Sequence, residues 1–202
     1  MADRLSALAP VYRTGHFGAA SGPGVIIAER RPLTIVEVAA HHGQGEAVRS
    51  AVAAALGAAP AAEPNTAASS ATTSLLWIGP QRWLVVEPEQ AGRDLAQLLR
   101  KALGPAQAAV TDVGNGRTVW RLSGPDVCDL LAKGSGIDFH ARAFPPGRCA
   151  QGLLGHAASL FHAVDAAPSF DLYVARSFGL TMWEWLTEAA AEFGYRVADP
   201  MR

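Results

Sequence analysis

One order of elements occurs twice along this chain, and it limits the available folds more than any single motif does. The β-prone run Leu33 to Ala39 leads to an amphipathic stripe at Glu46 to Leu56. There Ala47, Val48, Ala51, Val52, Ala55 and Leu56 share a face, and Gly57 supplies the stop. Leu75 to Ile78 and Trp83 to Glu87 flank Gly79-Pro80-Gln81-Arg82 and read as a β-hairpin. A helix over Gly92 to Leu103 aligns Leu95, Leu98, Leu99 and Leu103 before Gly104-Pro105 ends it. Ala108 to Val113 and Thr118 to Leu122 are strands around Gly114-Asn115-Gly116, and the order then returns. Thr118 to Leu122 precedes a helix over Pro125 to Lys133, the strands Gln151 to Val164 and Phe170 to Arg176, and a helix over Leu180 to Phe193. Two β-α-β-β-α units predict an α+β fold, with antiparallel or mixed sheets covered by helices and pseudo-two-fold character.

The remaining segments complete a domain plan. Residues 1–24 show no sustained period and read as an arm that frays or lies across a partner. Residues 25–202 read as a single domain of two halves, 25–107 and 108–197, starting with a short strand at Val25 to Ala28. Ala58 to Thr73 is built from Ala, Pro, Ser and Thr, and reads as a flexible surface loop.

Composition removes whole classes of function. Seventeen basic and 18 acidic residues leave no broad field for nucleic acid or an anionic membrane. The 50% hydrophobic fraction overstates the core, because 40 of the 202 residues are Ala, with little area each. Cys128 and Cys149 cannot form a disulfide framework, and six scattered His suggest no zinc site. No apolar run approaches the roughly 20 residues needed to span a bilayer, and the N-terminus lacks a signal-peptide pattern. The expectation is a cytoplasmic protein.

Candidate chemistry is sparse. Gly43-Gln44-Gly45 follows a strand and opens a helix like a dinucleotide fingerprint, but the third glycine position holds Val48. A helix start after a strand explains it better. His156 and His162 fall in one expected strand, about 20 Å apart at strand rise, too far to share a metal. Both read as exposed strand residues, and His41-His42 as a polar turn. Cys149 with His156 or His162 has no spacing that supports a nucleophile and base. Trp185 falls in the core stripe of the last helix and Trp183 at its margin, while Trp77 and Trp83 flank the hairpin. Aromatics at the edge of a core commonly anchor interfaces, so the arm, the Trp83 hairpin and the Trp183 edge are the expected docking points. No catalytic, cofactor-binding or metal-binding residues are assigned.

Several blocks taken together carry a family resemblance. They are Arg121-Leu122-Ser123-Gly124-Pro125, Phe144-Pro145-Pro146-Gly147-Arg148-Cys149-Ala150-Gln151 and Trp183-Glu184-Trp185-Leu186. With Thr111-Asp112-Val113 and Ser169-Phe170-Asp171-Leu172-Tyr173, they make the chain resemble gamma subunits of heterotetrameric sarcosine oxidase from about Val25 to Phe193. That family is similar in turn to the folate-binding domain of aminomethyltransferases, which implies the same duplicated fold. The resemblance implies a non-catalytic structural subunit with alpha, beta and delta subunits as partners. It implies an assembly that demethylates sarcosine oxidatively to glycine, releases hydrogen peroxide and passes the one-carbon unit to tetrahydrofolate. FAD, FMN, NAD, tetrahydrofolate and zinc would then sit on the other subunits and none on this chain. Two alternatives stand beside it: a free-standing aminomethyltransferase-like folate-binding protein, and the gamma subunit of a related N-methyl amino acid oxidase or dehydrogenase.

Overall fold

The structure, a computed structural model, describes residues 5–19, 22–90 and 92–202. The chain divides into two units. One comprises Pro32–Asn115 with Gly147–Ala150, and the other the residues up to Arg31, Gly116–Pro146 and Gln151–Met201.

The unit around Pro32–Asn115 holds a five-stranded sheet. Its elements are β3 (Leu33–Ala40), α1 (Gly45–Leu56), β4 (Ala67–Ser69), β5 (Ser74–Gly79), β6 (Arg82–Pro88), α2 (Leu95–Leu103) and β7 (Ala108–Asp112). The spatial order is β4-β5-β6-β3-β7, with antiparallel neighbours throughout. Pro80 sets the first position of the β5–β6 turn and Gln81 takes φ 59° at the second, the pattern of a type II turn. Asp94 caps α2 by accepting from the Gln97 N–H at 2.9 Å. Gly57 closes α1 in the left-handed region at φ 76°. Val36, Val38, Val48, Val52, Leu75, Trp83, Val85, Leu95 and Leu99 form this unit's buried core.

The other unit repeats the scheme and adds to it. Its sheet and helices are β1 (Gly15–Phe17), β2 (Val25–Glu29), β8 (Arg117–Ser123), α3 (Val127–Ala132), β9 (Cys149–Leu154, in this unit from Gln151), β10 (Ala157–Asp165), β11 (Ser169–Ala175), α4 (Gly179–Ala190) and β12 (Tyr195–Val197). The order is β1-β12-β2-β8-β11-β10-β9. Read inward from one edge, β9-β10-β11-β8 matches β4-β5-β6-β3 strand for strand. Beside β8, in the place β7 takes beside β3, lies β2, also antiparallel to its neighbour. β12 then pairs parallel to β2. The duplication expected from element order is therefore present in the sheets themselves. An aromatic cluster lies in this unit: Phe139 meets Phe144, Phe161 and Phe170 edge-on at 5.7, 5.0 and 5.5 Å between ring centroids.

The structure corrects several expectations. The units are not the halves 25–107 and 108–197, because β2 joins the β8 sheet. Main-chain pairing with Ser123 and Leu122 outweighs sequence proximity to β3. Gln151 to Val164 is two strands joined by a turn, with Gly155 at φ 57°. The 58–73 loop contains the edge strand β4, and its main chain is held by Trp83 Nε1, which donates to the Ala61 carbonyl at 2.8 Å, and by Arg49 Nε, which donates to Pro60 at 2.7 Å. Low complexity hid these tertiary bonds.

The described part of the arm is fastened to the chain's own seven-stranded unit. Leu8 is buried, and the Tyr12 hydroxyl donates to Ala198 at 2.7 Å while accepting the Glu29 N–H at 3.0 Å. Gly18 lies so close to Ala191 that any side chain would strike its carbonyl, and the glycine takes φ 79°. The arm's residues 1–4, 20 and 21 lie outside the described residues.

Candidate functional site

The strongest concentration of ionisable groups in the described residues is a row across the seven-stranded sheet. Register places Ala28 opposite Arg121, Arg121 opposite Asp171, and Asp171 opposite His162, so the last three share one sheet face. The Asp171 carboxylate is 1% exposed and meets two guanidiniums. Arg121 is bidentate, with Nε to Oδ1 at 2.5 Å and Nη2 to Oδ2 at 3.1 Å, and Arg30 Nη1 donates to Oδ2 at 2.6 Å. Burial works against the Arg121 charge, but Asp171 more than reverses this, so its pKa lies above the ordinary guanidinium value.

His162 is buried, contrary to its expected exposure, because β10 is an interior strand between β9 and β11. Burial holds its pKa down at about 4; Asp171 pulls it up, and Arg121 and Arg30 push it down. It is therefore neutral at physiological pH, and among the described residues its Nδ1 has no hydrogen-bond partner. This row suits structure better than proton transfer. The carboxylate is saturated by cations and the imidazole is held in its neutral form.

The other candidates separate. His156 is exposed in the β9–β10 turn, so it does not share a strand with His162. Cys149 is fully buried and its thiol donates toward the carbonyls of Thr66 at 3.2 Å and Trp77 at 3.4 Å. Burial raises its pKa to about 11, so the thiolate that a nucleophile requires is scarce. Cys128 is half-buried with a raised pKa, again from burial first. His41 and His42 are exposed in the turn before α1. The Gly43 turn feeds α1 from a strand whose two neighbours are antiparallel, which is not the parallel β-α-β frame a dinucleotide crevice needs. Among the described residues, no group of three or more His, Cys, Asp or Glu is arranged to hold a metal ion.

The tryptophans also redistribute. Trp183 is buried and Trp185 half-buried, the reverse of the expectation, and Trp83 lies in its unit's core. Trp183 is covered by Tyr12 of the arm, at 5.2 Å between ring centroids, a partner that helix periodicity does not reveal.

A family model described as "Sarcosine oxidase, gamma subunit family" matches residues 42–192, from just before α1 to just after α4. The chain belongs to the sarcosine oxidase gamma subunit family. Among curated gamma subunits, that of Corynebacterium sp. (strain U-96) is 30% identical over 174 residues, covering 83% of either chain. The Arthrobacter sp. gamma subunit is 39% identical over 105 residues, 52% of this chain. The chain spans 51% of that relative and 58% of the one from Corynebacterium sp. (strain P-1). Among solved structures, a chain of the heterotetrameric sarcosine oxidase from Corynebacterium sp. U-96, in complex with pyrrole 2-carboxylate, superposes with a TM-score of 0.83. Its identity is 27%, over 94% of this chain and 96% of that one. Glycine cleavage system aminomethyltransferase T from Bartonella henselae gives a TM-score of 0.62 at 12% identity, over 88% of this chain and 48% of that one. The latter likeness is one of fold. In this chain, Arg121 and Asp171 both belong to the buried ionic row.

Proposed function

We propose that this chain is the non-catalytic gamma subunit of a heterotetrameric sarcosine oxidase, and that its work is assembly. What carries the reading is the near end-to-end superposition on a chain of such a heterotetramer. The buried chemistry is compatible with it. Asp171 is committed to two arginines, Cys149 to two carbonyls, and His162 is held neutral. On this reading the complex demethylates sarcosine to glycine with release of hydrogen peroxide and transfer of the one-carbon unit to tetrahydrofolate. FAD, FMN, NAD, tetrahydrofolate and zinc reside on the alpha, beta and delta subunits. The complex works in the cytoplasm, and this chain supplies no catalytic, cofactor or metal residue.

The test is co-expression with the three other subunits and purification through one tag on another subunit. The expected result is stoichiometric recovery of this chain, with sarcosine-dependent peroxide formation that collapses when it is omitted. Absence of this chain from the purified complex, with full activity in the remaining subunits, would sink the proposal. Tight binding of tetrahydrofolate by the isolated chain would favour a free-standing aminomethyltransferase-like protein instead.

A further inference from the structure

The exposed apolar side chains are not scattered. Six large ones stand out among the described residues, and five of them, Leu5, Val11, Phe17, Phe178 and Leu180, lie on the arm or at the start of α4. These two segments are neighbours along their length. Arg176 Nη2 donates to the Leu5 carbonyl at 2.6 Å, and Ala7 lies against Gly179. Farther on, Tyr12 packs on Trp183, and the Ala19 N–H donates to the Ala191 carbonyl at 2.9 Å. The arm therefore runs in the same direction as α4 and forms a seam with it. Its inward groups, Leu8 and the Tyr12 hydroxyl, are buried or bonded, and its outward ones face water, with Leu5 73% exposed. A segment fixed from beneath with apolar side chains on top is preorganised for docking.

Charge along the seam narrows the occupant. Arg13 and Arg176 donate only to backbone carbonyls and form no ion pair with a described residue. Farther along α4 the exposed side turns acidic at Glu184 and Glu188, which also lack ion pairs among the described residues. A matching face is apolar at its centre, carries carboxylates toward Arg13 and Arg176, and carries a cation toward Glu184.

We infer that the arm–α4 seam, centred on Leu5, Phe178 and Leu180, is where a different subunit of the complex docks, through an apolar face of that charge pattern. The inference rests on the subunit reading above. A stable subunit contact buries about 1,000 Å² or more in total, with a few central apolar side chains contributing most of the affinity.

The experiment is the four-subunit co-expression with single-tag purification, comparing the wild-type chain with Leu5→Asp/Leu180→Asp and with Arg176→Glu. The double variant is expected to lower recovery of this chain by about tenfold or more, and Arg176→Glu by less. Leu153→Asp, the same change at the exposed leucine off the seam, should leave recovery unaltered. Hydrogen–deuterium exchange on the wild-type complex needs no variant. Amides of residues 5–19 and 176–184 should be slower in the complex than in the free chain. Undiminished recovery of the double variant, or unchanged exchange in those segments, overturns this inference while leaving the subunit reading intact. Absence of the wild-type chain from the purified complex overturns both. A dimer of the isolated chain that Leu5→Asp abolishes would assign the seam to a second copy instead.

Discussion

Each unit buries a carboxylate on the strand that occupies the same place in its sheet order, and each neutralises it differently. Asp171 sits in the middle of β11 and meets Arg30 and Arg121, whose side chains are themselves only 9% and 20% exposed. Glu87 sits near the end of β6 and is equally buried, but its cation, Arg93, keeps more of its surface in water and donates through Nη2 to Oε2 at 3.1 Å. Thr73 Oγ1 adds a longer contact of 3.4 Å. In the middle of the strand no water is at hand to complete solvation, so two charge-assisted donors replace it. At a strand end, one arginine suffices because its own charge stays partly hydrated. Burial of the carboxylate alone does not set the energetic stakes; burial of its counter-ions does.

This comparison can be broken by substitution. Asp171→Ala should show the largest effect, about 3–5 kcal/mol lost in urea unfolding of the chain, because two enclosed guanidiniums lose their carboxylate. Adding Arg121→Ala to that background should lose far less than Arg121→Ala alone; additive losses would show that the row does not act as a unit. Next comes acid sensitivity centred on His162. Its folded pKa of about 4 lies below the unfolded value of 6.5, so the unfolded chain binds the extra proton between them. Its contribution is fully present above pH 6.5 and falls away as pH drops toward 4. Stability curves over that range should flatten in His162→Gln, and an unchanged slope would remove His162 as the cause. Glu87→Ala should lose less than Asp171→Ala, about 1–3 kcal/mol, since Arg93 can turn outward to water. The smallest change is expected from Asp94→Ala, about 1 kcal/mol from the lost α2 cap, read as a lower midpoint with the same denaturant slope.

Legibility followed the range of the interaction. Helix stripes, the Gly57 and Gly104 stops and the β5–β6 hairpin are local, and α1, α2, β5 and β6 fall close to where pattern placed them. Three short strands, β1, β4 and β12, were not legible, because three residues carry no measurable alternation and exist only through their partners. The Trp183 and Trp185 exchange has the same origin: helix period alone divides a stripe symmetrically, and it takes Tyr12 to decide which edge is covered. The ionic row was invisible for a stricter reason. Arg30, Arg121, His162 and Asp171 come from four separate segments, and only strand register brings the last three onto one line.

By itself, the amino-acid order determined the α+β class, the repeated β-α-β-β-α pattern and, through the blocks at 121–125, 144–151 and 183–186, the family. Those properties depend on residues within a turn or two of each other, where steric preference and apolar spacing act without help. Tertiary structure alone decided that β2 crosses to the sheet of the later repeat, that His162 is enclosed and that the arm lies along α4. Each is a contact between segments far apart in sequence. Its free energy depends on where the rest of the chain has already put its surfaces.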